Sequence, residues 1–143
     1  MSESMDVRGQ CLCGAVSVTA ATSNPELRAC HCEMCRRQNS FAFLNVQTEP
    51  ESIVVNGPLT VFKSSEWAER AFCTTCGSML WYGLQYNGER HLSAGLFPKL
   101  SGAMVQEYYV DECLFGNGFA GGHQKLTRQE TIALFAPTEG DAR

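Results

Sequence analysis

Apolar and polar residues alternate with period two along much of this chain, the pattern of half-buried β-strands. Ala15 to Thr22 reads A-V-S-V-T-A-A-T, which places Val16 and Val18 on one face. Phe41 to Val46 is a second candidate, followed by Ser52 to Val55, Leu59 to Phe62, Met79 to Leu84, Arg90 to Phe97 and Gln106 to Val110. Asn56-Gly57-Pro58, Asn87-Gly88 and Ser101-Gly102 separate them as turns. Asn87-Gly88 predicts a type I′ hairpin, whose two central residues need positive φ. One helix is signalled: Thr127-Arg128-Gln129-Glu130 fits a capping box, Ile132, Leu134 and Phe135 are its apolar residues, and Pro137 stops it. Gly116 to Gly122 reads as a loop without the spacing of a phosphate-binding loop. The expected fold is mainly β, with antiparallel sheets and one short C-terminal helix. It is expected as a single domain over residues 1–143, with a core at about 6–136 and fraying tails.

Composition narrows the function classes. The apolar content of 44% with 18% charged residues is ordinary for a globular protein. The net charge of −4 and the lack of any basic run argue against nucleic acid as a partner. No apolar stretch approaches a membrane span, and the N-terminus lacks the basic flank and apolar run of a signal peptide. A cytoplasmic chain with no membrane partner is expected.

The eight cysteines change this picture. They fall as C-x-C at Cys11 and Cys13, C-H-C-x-x-C at Cys30, Cys32 and Cys35, C-x-x-C at Cys73 and Cys76, and a lone Cys113. Close spacing in a reducing compartment points to metal rather than disulfides. Cys13-Gly14 and Cys76-Gly77 have the form of zinc knuckles. Joining 11, 13, 73 and 76 would pin the N-terminal strand to the middle of the chain. Spacing alone also allows Cys11 and Cys13 to pair with Cys32 and Cys35, leaving Cys73 and Cys76 for Cys30 and His31. If Cys30-His31-Cys32 is extended, its two thiols share one side and His31 faces away as a hydrogen-bonded imidazole. A turn through Glu33 and Met34 then brings Cys35 to the same side. Three thiolates would leave one metal position open, suited to a soft anionic ligand such as a substrate thiolate. Arg36 beside them is a candidate to offset the negative charge or hold a substrate carboxylate, while Arg37 reads as a solvated charge. Cys113 reads as a half-buried free thiol. His91 and His123 read as hydrogen-bonded or exposed, and Trp67 and Trp81 as packing around the C-x-x-C knuckle. Glu66, Glu69, Asp111 and Glu112 read as solvated charges.

C-L-C-G-A-V, C-H-C-E-M-C-R-R and F-C-T-T-C-G-S-M-L, in this order, resemble the glutathione-dependent formaldehyde-activating enzyme family, which also contains centromere protein V. The likeness is close from Gly9 to Tyr86 and looser beyond. It implies a zinc-bearing, Mss4-like architecture of antiparallel sheets and two Zn²⁺ per chain. Cys11, Cys13, Cys73 and Cys76 would hold a structural zinc, and Cys30, Cys32 and Cys35 a catalytic one. The implied activity is that of a carbon–sulfur lyase adding a small thiol such as glutathione to formaldehyde or a related aldehyde. A non-catalytic zinc-stabilised binding module of the same family is the alternative. Asn39-Ser40 stands where the family often has a small residue and glycine. Phe97-Pro98 stands near a frequent aspartate, and Cys113 to Phe119 lacks an expected tryptophan pattern.

Overall fold

The computed structural model describes residues 4–137, and the expected fraying of the tails concerns residues outside that range. Two sheets meet face to face. The smaller is antiparallel and three-stranded, in the order β1 (Met5–Gln10), β2 (Ser17–Thr22), β5 (Val54–Asn56). The larger holds β3 (Glu26–Cys30), β4 (Phe43–Gln47), β6 (Leu59–Lys63), β7 (Ala68–Cys73), β8 (Met79–Leu84), β9 (Arg90–Ser93), β10 (Ala103–Tyr108) and β11 (Gln124–Lys125). Its order is β11-β10-β3-β4-β9-β8-β7-β6.

The mainly β expectation holds, with two differences. The large sheet is mixed, because β10 runs parallel to both β3 and β11. Parallel neighbours need a long crossover, and β4 to β9 supply it between β3 and β10. A second helix, α1 (Glu33–Asn39), follows the third strand. The expected C-terminal helix is α2 (Arg128–Phe135), with Thr127 as N-cap and both halves of the capping box formed. The Asn87-Gly88 turn joins β8 to β9 as expected, but only Gly88 has positive φ (72°), so it is not type I′. The loop is longer than two residues: Leu84 N–H donates to Glu89 C=O and Gly88 N–H to Leu84 C=O.

Strand register divides the large sheet into two faces with different tasks. Leu27, Val46, Leu92, Trp81 and Ala71 lie opposite one another across β3, β4, β9, β8 and β7. They pack with Val7, Val18 and Ala20 of the small sheet, and with Val16 just before β2, to form the main core. The other face carries Cys30 opposite Tyr108 and Phe43, then Asn45 and Gln47 on β4, then His91 opposite Tyr82 opposite Arg70. A polar row on an inward-facing strand surface needs something to bind or bury it. That face is the floor of a cavity, and α2 supplies part of its wall. Among the described residues no helix is long and apolar enough to cross a membrane.

Candidate metal centres and the cavity they share

The first cysteine group forms where β1 turns into β2 and β7 turns into β8. The Sγ atoms of Cys11, Cys13, Cys73 and Cys76 all lie within 4.8 Å of one another. Cys11 and Cys13 are 3.6 Å apart, and Cys13 and Cys73 are 3.9 Å apart. Tetrahedral coordination with metal–sulfur bonds of about 2.3 Å separates sulfurs by about 3.8 Å. The donor set therefore fits a four-thiolate ion without rearrangement. Backbone donors face the sulfurs as knuckle geometry requires: Val16 N–H to Cys11 at 3.3 Å, Ala15 N–H to Cys13 at 3.5 Å and Cys76 N–H to Cys73 at 3.4 Å. The Ser78 hydroxyl adds a contact of 3.2 Å to Cys76. Trp81 is buried in the same core as Cys11 and Cys73, as expected, whereas Trp67 lines the cavity instead.

The second group gathers Cys30, Cys32 and Cys35, whose Sγ atoms also lie within 4.8 Å of one another. Cys30 ends β3, and Cys32 is the N-cap of α1, its sulfur accepting the Cys35 N–H at 3.4 Å. The first helical turn, rather than a loose bend, carries Cys35 back to the other two. No fourth His, Cys, Asp or Glu joins this group among the described residues. His31 faces away and gives its Nε2 to the Glu107 carboxylate at 2.6 Å. Cys113 points its thiol to the Phe115 carbonyl at 3.0 Å.

Three sulfurs this close compete for one negative charge. Donation from the Cys30 thiol, then from Cys35, pulls the Cys32 thiol far below the ordinary range, with Arg70 adding attraction against the cost of burial. The same contact with Cys32 pushes Cys30 well up. Such a site favours cations at its edge, and one is present. Both terminal nitrogens of Arg70 lie 3.5 Å from Cys35 Sγ, and one also donates to Gln38 at 3.0 Å. Arg70 is 4% exposed, and its guanidinium lies 5.1 Å from the Tyr82 ring centroid.

The expectation for Arg36 is thereby corrected. Arg36 does not line the cavity, and Arg70 is the cation on the thiol cluster. Arg36 follows Cys35 by about 100° around the helix, which carries it away from the sulfurs. Arg37 pairs with Glu33 at 2.5 Å on the exposed side of α1. In the sequence nothing singles Arg70 out: in A-E-R-A-F-C both Glu69 and Arg70 lie between Ala68 and Ala71, and strand periodicity does not say which of the two faces inward.

The cavity over these thiols has a volume of about 470 Å³, within the range of small-molecule sites. Trp67, Tyr82, Tyr108 and Phe135 give it apolar walls, and Arg70, Asn45 and His91 are polar residues along it. Burial pushes the Tyr108 phenol up to about 12 and the Tyr82 phenol higher, so both remain protonated. Cys11, Cys13, Cys73 and Cys76 do not touch this cavity, whereas Cys30, Cys32 and Cys35 all do.

Behind the second cluster lies an arrangement that the sequence reading missed. Glu107 is fully buried and accepts from His31 at 2.6 Å, from His123 at 2.5 Å and from the Phe119 N–H at 3.0 Å. It ties the Gly-rich loop to the strand end bearing the cysteines. Gly118 (φ 95°) permits the wrap, since a Cβ there would run into the Glu107 carboxylate. His123 is thus hydrogen-bonded, as expected. His91 is buried, with Nε2 3.4 Å from Glu89 Oε1 but not aligned for a hydrogen bond.

The fold and these sites define a mainly β protein with two thiol clusters that could each hold a metal ion, one joining the two sheets and one at the floor of a cavity. The chain belongs to the glutathione-dependent formaldehyde-activating enzyme family, which it matches over residues 6–112. It is 37% identical over 78 residues to an uncharacterised lyase of Schizosaccharomyces pombe, covering 54% of this chain and 57% of that protein. It is 28% identical over 88 residues to a putative glutathione-dependent formaldehyde-activating enzyme of Halomonas elongata, covering 54% of this chain and 55% of that one. The match thus spans a little over half the length of these curated relatives. A crystal structure of a Rhodobacter sphaeroides protein superposes with a TM-score of 0.56 at 22% identity, over 71% of this chain and all of that one, which shows the fold.

Proposed function

We propose that this protein is a zinc-dependent carbon–sulfur lyase-type enzyme that adds a small thiol, glutathione or a near relative, to formaldehyde or a related aldehyde. One observation carries the reading: three converging sulfurs form part of the floor of a cavity instead of being closed by a fourth protein ligand. The family and the names of the relatives agree with it. Cys11, Cys13, Cys73 and Cys76 would hold the structural zinc, and Cys30, Cys32 and Cys35 the catalytic one. Bound there, Zn²⁺ supplies a position for an outside thiol and favours its thiolate.

The chain's own residues do the rest. Three thiolates leave an excess of negative charge around a divalent ion, which would repel a fourth anion. Arg70, held on Cys35, offsets that charge in the role expected of Arg36. Tyr82 stays protonated beside it and adds no further negative charge. The aromatic wall orients the incoming thiol and limits the water around it. In the reaction the thiol sulfur forms a bond to the carbonyl carbon, the C=O π bond opens, and the proton lost by the thiol is matched by one gained at oxygen. The product is an S-hydroxymethyl adduct.

The alternative reading as a binding module needs a saturated second site. Its two candidate ligands have other partners, His31 on Glu107 and Cys113 on the Phe115 carbonyl, so the enzyme reading is the better supported. The test is adduct formation from glutathione and formaldehyde, measured against the fast spontaneous reaction. Zinc-loaded protein is expected to accelerate it, and Cys32→Ala to abolish the acceleration. No acceleration together with no thiol binding would end the proposal.

A further inference from the structure

The cavity offers a mainly apolar surface, although polar residues lie along its floor. Asn45 is 1% and His91 3% exposed, so neither presents much of itself to a ligand. The rings of Tyr82 and Phe135 pack on His91, with centroids 5.7 and 6.0 Å from its own. Each charged side chain along the cavity already has a partner among the described residues. Arg70 is held by Cys35 and Gln38, Arg128 by Glu112 at 3.1 Å, and Glu33 by Arg37. The lining residues that remain accessible are largely hydrocarbon: Trp67, Tyr82 and Phe135 are half-buried, while Met34 of α1 and Ile132 of α2 are 47% and 38% exposed. Apolar side chains left in water around a concave site gain when an apolar group covers them.

We infer that this cavity takes an apolar chain or ring carried by a substrate, so that the substrate class is a thiol or an aldehyde bearing a hydrocarbon group. The inference rests on the proposed binding of thiol sulfur at Cys30, Cys32 and Cys35. Size supports it: formaldehyde, one carbon and one oxygen, would leave most of the 470 Å³ to water held against apolar walls. Charge supports it too. The carboxylates and ammonium of glutathione would meet no unpaired counter-charge along the described walls, and burying a charge without a partner is costly. Those groups belong at the mouth, in water, which leaves the apolar interior to hydrocarbon. With sulfur on the floor, the carbon bearing it and the carbonyl carbon it attacks both sit at the base of the walls. A hydrocarbon on either one reaches Phe135 and Ile132, which are thus assigned as specificity residues. The bond changes are those of the proposed addition.

Two series test this on the zinc-loaded protein. In the first, ethanethiol, 1-propanethiol and 1-butanethiol are titrated by calorimetry. In the second, glutathione is kept constant and adduct formation above the spontaneous rate is followed with propanal, butanal and pentanal, with formaldehyde as reference. Affinity or kcat/KM is expected to rise about fourfold for each added methylene in at least one series, and the rising series identifies the reactant that carries the hydrocarbon. Ile132→Ser, which changes a partly exposed side chain and should spare the fold, and separately Phe135→Ala should flatten that rise to below about twofold per methylene. Two flat series in wild type, with ethanethiol bound and formaldehyde converted, would overturn the apolar site and leave the enzyme reading in place. Failure of every thiol to bind and of every aldehyde to react faster would overturn both. A rise unchanged in both variants would put the hydrocarbon outside this cavity and also overturn the inference.

Discussion

Ser40 holds a left-handed conformation (φ 71°) at the C-cap of α1, the helix that presents Cys35. The family resemblance suggests glycine here, and the structure shows why: the backbone keeps the glycine-like conformation although serine occupies it. The Asn39 side chain helps by donating to the Cys35 carbonyl at 3.1 Å. A non-glycine residue in this region costs about 1 kcal/mol. Ser40→Gly should therefore stabilise the protein by up to about 1 kcal/mol in denaturant unfolding without altering zinc content. Arg70 gives a prediction of the opposite kind. Arg70→Met removes the charge-assisted contacts to Cys35 and Gln38, and thiol affinity of the zinc-loaded protein should fall about tenfold or more. Retained affinity would show that the charge is offset elsewhere. Glu107 yields a pH dependence. Burial raises its carboxyl, but hydrogen bonds from His123, His31 and the Phe119 N–H outweigh this and hold it below the ordinary carboxylate range. A depressed carboxyl contributes stability above its unfolded value, about 4.3, and loses it as pH falls through the folded one. The stability advantage of wild type over Glu107→Gln should thus be present at pH 7 and shrink in acid below about pH 4.3. An advantage that stays constant across that range would contradict the account of a carboxylate held by these hydrogen bonds.

The helix α2 is held by its cap and by one buried hydroxyl. Thr131 is 2% exposed, donates to the Thr127 carbonyl at 2.7 Å and accepts the Tyr109 N–H at 3.0 Å. Tyr109 itself has positive φ (55°), so that bond secures a strained corner next to the cavity. Thr131→Val keeps the shape and strands a buried N–H, at a cost of about 1–3 kcal/mol. A lower unfolding midpoint and weaker thiol binding are expected together, because Thr131, Ile132 and Phe135 line the cavity. The capping box made this helix legible in the sequence, but its inward face was not: Leu134 is 54% exposed, and a threonine is the buried residue. The other helix was not legible at all. E-M-C-R-R-Q-N has no apolar period and spans seven residues, and its start depends on a cysteine sulfur acting as cap. Strands β3 and β7 escaped for a related reason. Their cavity-facing side bears Arg28, Cys30 and Arg70, so alternation of apolar with polar residues fails where the site demands polar residues inward. Glu107 was hidden in the same way within Q-E-Y-Y-V.

At the scale of the whole molecule, the two thiol clusters have unlike tasks. Cys11 and Cys13 come from the junction of β1 and β2, and Cys73 and Cys76 from that of β7 and β8, so their group joins the small sheet to the large one. Cys30, Cys32 and Cys35 lie within one short segment and close no long loop. Spacing could not choose between the possible pairings, because the register that brings residue 13 to residue 73 is a property of the assembled sheets. This difference sets the outcome of the most direct measurement, zinc content per chain in wild type, Cys32→Ala and Cys76→Ala, with circular dichroism on each. Wild type should hold close to two ions, Cys32→Ala close to one with its fold intact, and Cys76→Ala should lose the fold. A fully loaded wild type holding one ion, with Cys30, Cys32 and Cys35 freely alkylated, would contradict the account.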